Sequence, residues 1–173
     1  MHPDHVAALV AEQVDALRAT LQQLDLPASG VELRGKVEIL IRFSSSTTEA
    51  IAGISGVPGV AAVPLLGTLK EDEFVLHLDC TDFDSQAPSV ALLDSKEKLL
   101  PPGRWPHDPQ GRGIVQGHPD FPGRKFFCRP GTREFHSHPP HADEPWDAVR
   151  EGMTIDKIAL GILRDLKERW TIR

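Results

Sequence analysis

The chain has 173 residues, 40% of them hydrophobic and 25% charged, with a formal net charge of -6; that is enough to close one core without disulfide staples. The acidic balance and the lack of a dense Lys/Arg block exclude the electrostatic footprint of a nucleic-acid or anionic-membrane partner. No apolar run approaches the ~20 residues of a membrane-spanning helix. Cys80 and Cys128 lie far apart with no leader-like segment before them, so a reducing, cytoplasmic setting is expected.

From Pro3 to about Leu26, Val6, Leu9, Val10, Val14, Leu17, Leu21 and Leu24 recur at three- and four-residue intervals, the pattern of an amphipathic helix. Pro27 and Gly30 stop it. "VELRGKVEILIRF" alternates and is rich in β-branched residues, which predicts a single strand. "SSSTTEAIAGISGVPG" reads as an irregular connection with room for a helical turn around Glu49 to Ile54. "VAAVPLLGTL" and "EFVLHLDC", separated by "KEDE", read as two further strands, and "PSVALLD" as a fourth. Four sequential strands after one helix predict an α+β domain, an antiparallel meander with the helix on one face.

Between about Lys96 and Pro145 regular patterning fades into a long Pro/His-rich loop, a length that in a compact domain usually carries function. Order returns at Thr154, a suitable N-cap, after which Ile155, Ile158, Ile162, Leu166 and Trp170 predict a closing helix. Neither repeats nor a low-complexity linker divide the chain, so residues 1–173 read as one domain. Cys80, at the end of an apolar run, reads as a core or strand-end thiol, and Trp105, Trp146 and Trp170 as packing residues, with a partner anchor the alternative for Trp105 in its Pro-rich loop.

The chemistry gathers in "HPDFPGRKFFCRPGTREFHSHPPH", residues 118–141. Cys128 beside Arg124, Lys125, Arg129 and Arg133 sits in a cationic stretch that favours thiolate, with His136 or His138 available as base. Alternatively, Glu134, His136 and His138 alternate along what an extended segment would make one side, and with Cys128 they form a plausible zinc ligand set. A closed metal site consumes the lone pairs that nucleophilic attack needs, so the two readings compete for one sulfur. Whether His138 or His141 completes a constellation stays open, because two prolines separate them.

Three features together resemble the ubiquitin-conjugating enzyme family. "FVLHLDCTDFDSQAPSVALLD" is similar to that family's third and fourth strands, with Pro88 where the family has a Pro-Pro pair. His118 precedes Cys128 by ten residues, as the family's His-Pro-Asn histidine precedes its catalytic cysteine. Trp146 and the helix after it resemble the tryptophan and helix that follow that cysteine. The resemblance implies that Cys128 accepts a ubiquitin-like protein from an activating enzyme as a thioester and supports its transfer. It also implies that His118 belongs to the catalytic segment, shaping the cysteine loop in preference to acting as general base, and that Asp120 holds the third tripeptide position, in place of an asparagine linked to the transfer oxyanion or to loop order. A carboxylate donates no hydrogen bond unless protonated, so Asp120 departs from that chemistry.

"REFHSHPPH" lies in an insertion between Cys128 and Trp146. There, Cys128, Glu134, His136 and His138 resemble the Cys-Glu-His-His signature of a predicted bacterial metal-binding family, typically encoded beside ubiquitin-like proteins and their activating enzymes. That second resemblance implies a noncatalytic zinc-binding accessory module of the same pathway. In the carrier reading no cofactor is needed.

Overall fold

The computed structural model describes residues 2–24, 30–43 and 74–168. Helix α1 (Pro3–Gln23) opens with Pro at its first position, and the His2 side chain accepts the Asp4 N–H at 3.4 Å. Val6, Val10, Val14, Leu17 and Leu21 are its buried face. The four-stranded sheet has the order β1 (Val31–Arg34), β2 (Glu38–Phe43), β3 (Phe74–Asp79), β4 (Ser89–Leu93), with every pair antiparallel. The fold is therefore α+β with a four-stranded meander, as the sequence predicts.

The strands are distributed differently from that expectation. Residues 31–43 form a hairpin and not one strand, because Gly35 takes φ +60°, where a side chain would be strained, and Arg34 folds back opposite Glu38. The run at 60–69 and the turn around 49–54 fall outside the described residues. The sheet face carrying Ile39, Ile41, Leu76, Leu78, Val90 and Leu92 packs into one cluster with α1 and with helix α4 (Ile155–Glu168). Ile155, Ile158, Ile162 and Leu166 are buried as their spacing predicts, while Trp170 lies outside the described residues. Leu40, Val75, Ala91 and Leu93 make a smaller cluster from the alternate residues of the same strands.

The segment 96–145 is more regular than its composition suggests. It holds a second antiparallel pair, β5 (Ile114–His118) and β6 (Phe121–Phe127), closed by Pro119 and Asp120. A register shift around Gly117 interrupts the alternation that would have marked the strands in sequence. Beyond Cys128 come two short helices, α2 (Arg133–His136) and α3 (Trp146–Val149), with a 3₁₀ turn at Pro139–His141 between them. Trp105 is buried, its indole N–H donates to the Leu100 carbonyl at 2.9 Å, and its ring lies 5.0 Å from that of Phe127. Cys80 is fully buried, and burial pushes its thiol up to about 12, the expected inert core cysteine. No helix among the described residues is long and apolar enough to cross a membrane.

Candidate functional site

Cys128 follows directly on β6, and its N–H donates to the Gly113 carbonyl at 2.9 Å, which fixes the backbone beside the thiol. The chain then turns sharply at Gly131, φ +93°, where a Cβ would stand 2.9 Å from Ile158 Cγ1 of α4. Thr132 caps α2: its Oγ1 accepts the Phe135 N–H at 3.3 Å and donates toward the Phe127 carbonyl at 2.9 Å. This cap makes residues 133–136 helical, so the alternation expected of an extended segment does not occur. Pro139 then begins a second turn, which sets His138 and His141 three residues apart on it.

As a result Cys128 meets His138 and His141. The sulfur lies 3.8 Å from His138 Nδ1 and 3.3 Å from His141 Nε2, and all three ligand atoms fall within 4.8 Å of one another. A tetrahedral zinc with Zn–S ~2.3 Å and Zn–N ~2.05 Å sets its sulfur and nitrogen ligands ~3.5 Å apart, so the two observed separations bracket what that ion requires. His141 Nδ1 donates to Glu144 Oε1 at 2.9 Å, the carboxylate partner that fixes a ligating imidazole's tautomer and orientation. Three donors of types zinc accepts thus converge, with one already oriented.

The other expected ligands are elsewhere. Glu134 is fully buried and turned toward β4. Its Oε1 accepts from Ser89 Oγ and Arg124 Nη2, each at 2.5 Å, and its Oε2 accepts the Val90 N–H at 3.1 Å. His136 Nε2 accepts the Gly131 N–H at 3.1 Å while Nδ1 donates to the Glu144 carbonyl at 2.7 Å. Its ring thus ties the turn after Cys128 to the turn bearing Glu144. Of the expected set Cys128, Glu134, His136 and His138, the structure unites the first and last and replaces the middle two by His141. The missed signal was His-Pro-Pro-His followed three residues later by Glu144, a helical spacing introduced by proline.

His118 is almost completely buried with both ring nitrogens engaged, Nε2 also lying 3.1 Å from Ser137 Oγ. Nδ1 accepts the Asp120 N–H at 3.0 Å and Nε2–H donates to the Glu134 carbonyl at 3.1 Å, pinning the β5–β6 turn to α2. Its ring lies 4.9 Å from that of Phe121 and 5.6 Å from that of His138, so it also backs one member of the trio. Asp120 is exposed at the hairpin tip with Oδ2 4.0 Å from His118 Nδ1. Neither arrangement offers a base at the sulfur.

Three of the four cations expected around Cys128 are engaged elsewhere. Arg124 pairs with Glu134, Arg129 with Asp165 of α4, and Arg133 Nε donates to the Ala87 carbonyl at 3.1 Å. Burial, with the Glu144 carboxylate adding to it, pushes the Cys128 thiol up. Burial also pulls the His138 imidazole down, helped by His118 and His141 beside it. Both shifts favour the uncharged forms, thiol at Cys128 and neutral imidazole at His138. Pro88 stands just before β4, where its carbonyl accepts the Arg133 N–H at 2.9 Å, and Trp146 is buried with its indole N–H on the Asp84 carbonyl at 3.2 Å. Both residues thereby brace the segment that carries the trio. No protein-family model matches this chain, and no curated protein matches it.

Proposed function

We propose that this chain is a noncatalytic zinc-binding module of a bacterial ubiquitin-like conjugation pathway, with Cys128, His138 and His141 as ligands. The observation that carries the reading is the convergence of those three donors on one point while His118, Glu134 and His136 are engaged elsewhere. Zinc held there supplies a cross-link between the end of β6 and the Pro139–His141 turn. Cys128, His138 and His141 then fix that surface for docking to a ubiquitin-like protein or its activating enzyme. The pathway assignment is supported by the helix, meander, cysteine segment and helix in that order, and by the ten residues from His118 to Cys128.

Elemental analysis tests the ligand set. Purified protein is expected to carry near one zinc per chain, lost in Cys128→Ser, His138→Ala and His141→Ala and kept in His136→Ala. Metal-free protein with a freely alkylated Cys128 contradicts it.

One observation favours covalent carriage of the ubiquitin-like protein as a second reading. Cys128 Sγ, His141 Nε2 and Nδ1, and Glu144 Oε1 form a chain of 3.3 and 2.9 Å contacts, the order of nucleophile, base and orienting carboxylate. That reading requires a reducible adduct with the ubiquitin-like protein in the presence of its activating enzyme, absent in Cys128→Ser. The raised thiol and the unused His138 weigh against it.

A further inference from the structure

We infer that Cys128, His138 and His141 are the complete protein ligand set of this centre, and that its fourth position is open to a small anionic oxygen or nitrogen donor, of the hydroxide or carboxylate class. The inference rests on the zinc reading and concerns what that reading leaves unfilled.

Among the described residues, the other acids and histidines expected here are engaged elsewhere. Both Glu134 oxygens are taken by Arg124, Ser89 and the Val90 N–H, deep enough that the carboxylate has no exposed surface. Both His136 nitrogens and both His118 nitrogens are held by backbone groups. Glu144 Oε1 lies 2.9 Å from His141 Nδ1 while the sulfur meets Nε2 of the same ring, so the carboxylate supports a ligand and stands outside the cluster of converging donors. Among the described residues the cluster contains these three donors and no fourth.

Two physical points then set the kind of ligand. Cys128, His138 and His141 are each partly exposed, so the trio is reached from solvent. One thiolate and two neutral imidazoles leave a net single positive charge with a divalent ion, which favours an anion over a neutral donor. Three protein ligands plus a solvent-derived fourth is the arrangement of open zinc sites, in contrast to the four protein ligands of closed structural ones.

Cobalt(II) in place of zinc makes the coordination visible, because its d–d absorption responds to exchange of a single ligand. The full-length chain is loaded with one equivalent of cobalt(II) and titrated with azide, then with acetate in competition. The expected result is a saturable change in the visible bands on azide addition, reversed by acetate, in wild type and in His136→Ala alike. A cobalt-loaded wild type whose spectrum ignores azide overturns the inference and leaves the zinc reading standing. A response confined to His136→Ala overturns it too, since His136 would then be the fourth ligand. Failure of wild type to take up cobalt or zinc defeats the zinc reading itself.

Discussion

Glu144 and Glu134 sit ten residues apart in sequence and have opposite roles, decided by what each carboxylate touches. Glu144 is exposed and spends one oxygen on His141, so its removal loosens a ligand without disturbing the core. Glu144→Ala is expected to weaken zinc binding about 10- to 100-fold, measured by competition with a chromophoric chelator, with little change in the stability of the metal-free protein. Glu134 is a buried anion whose charge is met by Arg124. Arg124→Met strands that charge and is expected to cost about 3–5 kcal/mol in urea unfolding, with part of the loss recovered in the double variant with Glu134→Gln. Composition alone could not separate these two acids. Both lie in the same histidine-rich stretch, and only the Thr132 cap, by making 133–136 helical, turns Glu134 inward and carries His136 away from the sulfur.

At the level of elements, what was legible followed regularity of pattern. The α1 and α4 faces are readable from sequence because their apolar residues repeat over several turns. The β1–β2 hairpin was hidden because alternation continues in phase across Gly35, and β5–β6 because the shift at Gly117 breaks alternation inside a polar, proline-rich stretch. The hairpin is held from outside by Glu97, which accepts from Arg34 at 2.6 Å and from Arg42 at 2.5 Å, with Glu32 beside both arginines. Those hydrogen bonds, Arg34's first, bring the Glu97 carboxyl down from 4.5 to about 2. A depressed folded value means that its contribution is present above about 4.5 and is lost as pH falls toward about 2. Wild type is therefore expected to melt above Glu97→Gln at neutral pH, with the gap closing between those two limits in a calorimetric series. A gap that holds constant down to pH 2 contradicts the pairing.

Across the whole molecule, the core and the site are separable. Leu17, Ile162 and the inner sheet face share one cluster, to which Cys128, His138 and His141 do not belong. Leu17→Ala is expected to cost about 2–5 kcal/mol of stability in denaturant unfolding while zinc content stays near one per chain. Chelation is expected to do the reverse: the melting temperature falls because an ion bound only by the folded state is withdrawn, while the far-UV signal of the helices and sheet persists. β6 sends Phe127 into this core, and Cys128 and the turns after it carry the ligand set outside the cluster. X-ray absorption at the zinc edge of the purified protein reads the ligands Cys128, His138 and His141 without intermediary. The expected spectrum has one sulfur at ~2.3 Å with nitrogen or oxygen neighbours at ~2.0–2.1 Å. A zinc shell without sulfur, or one with two or more sulfurs, would contradict that ligand set.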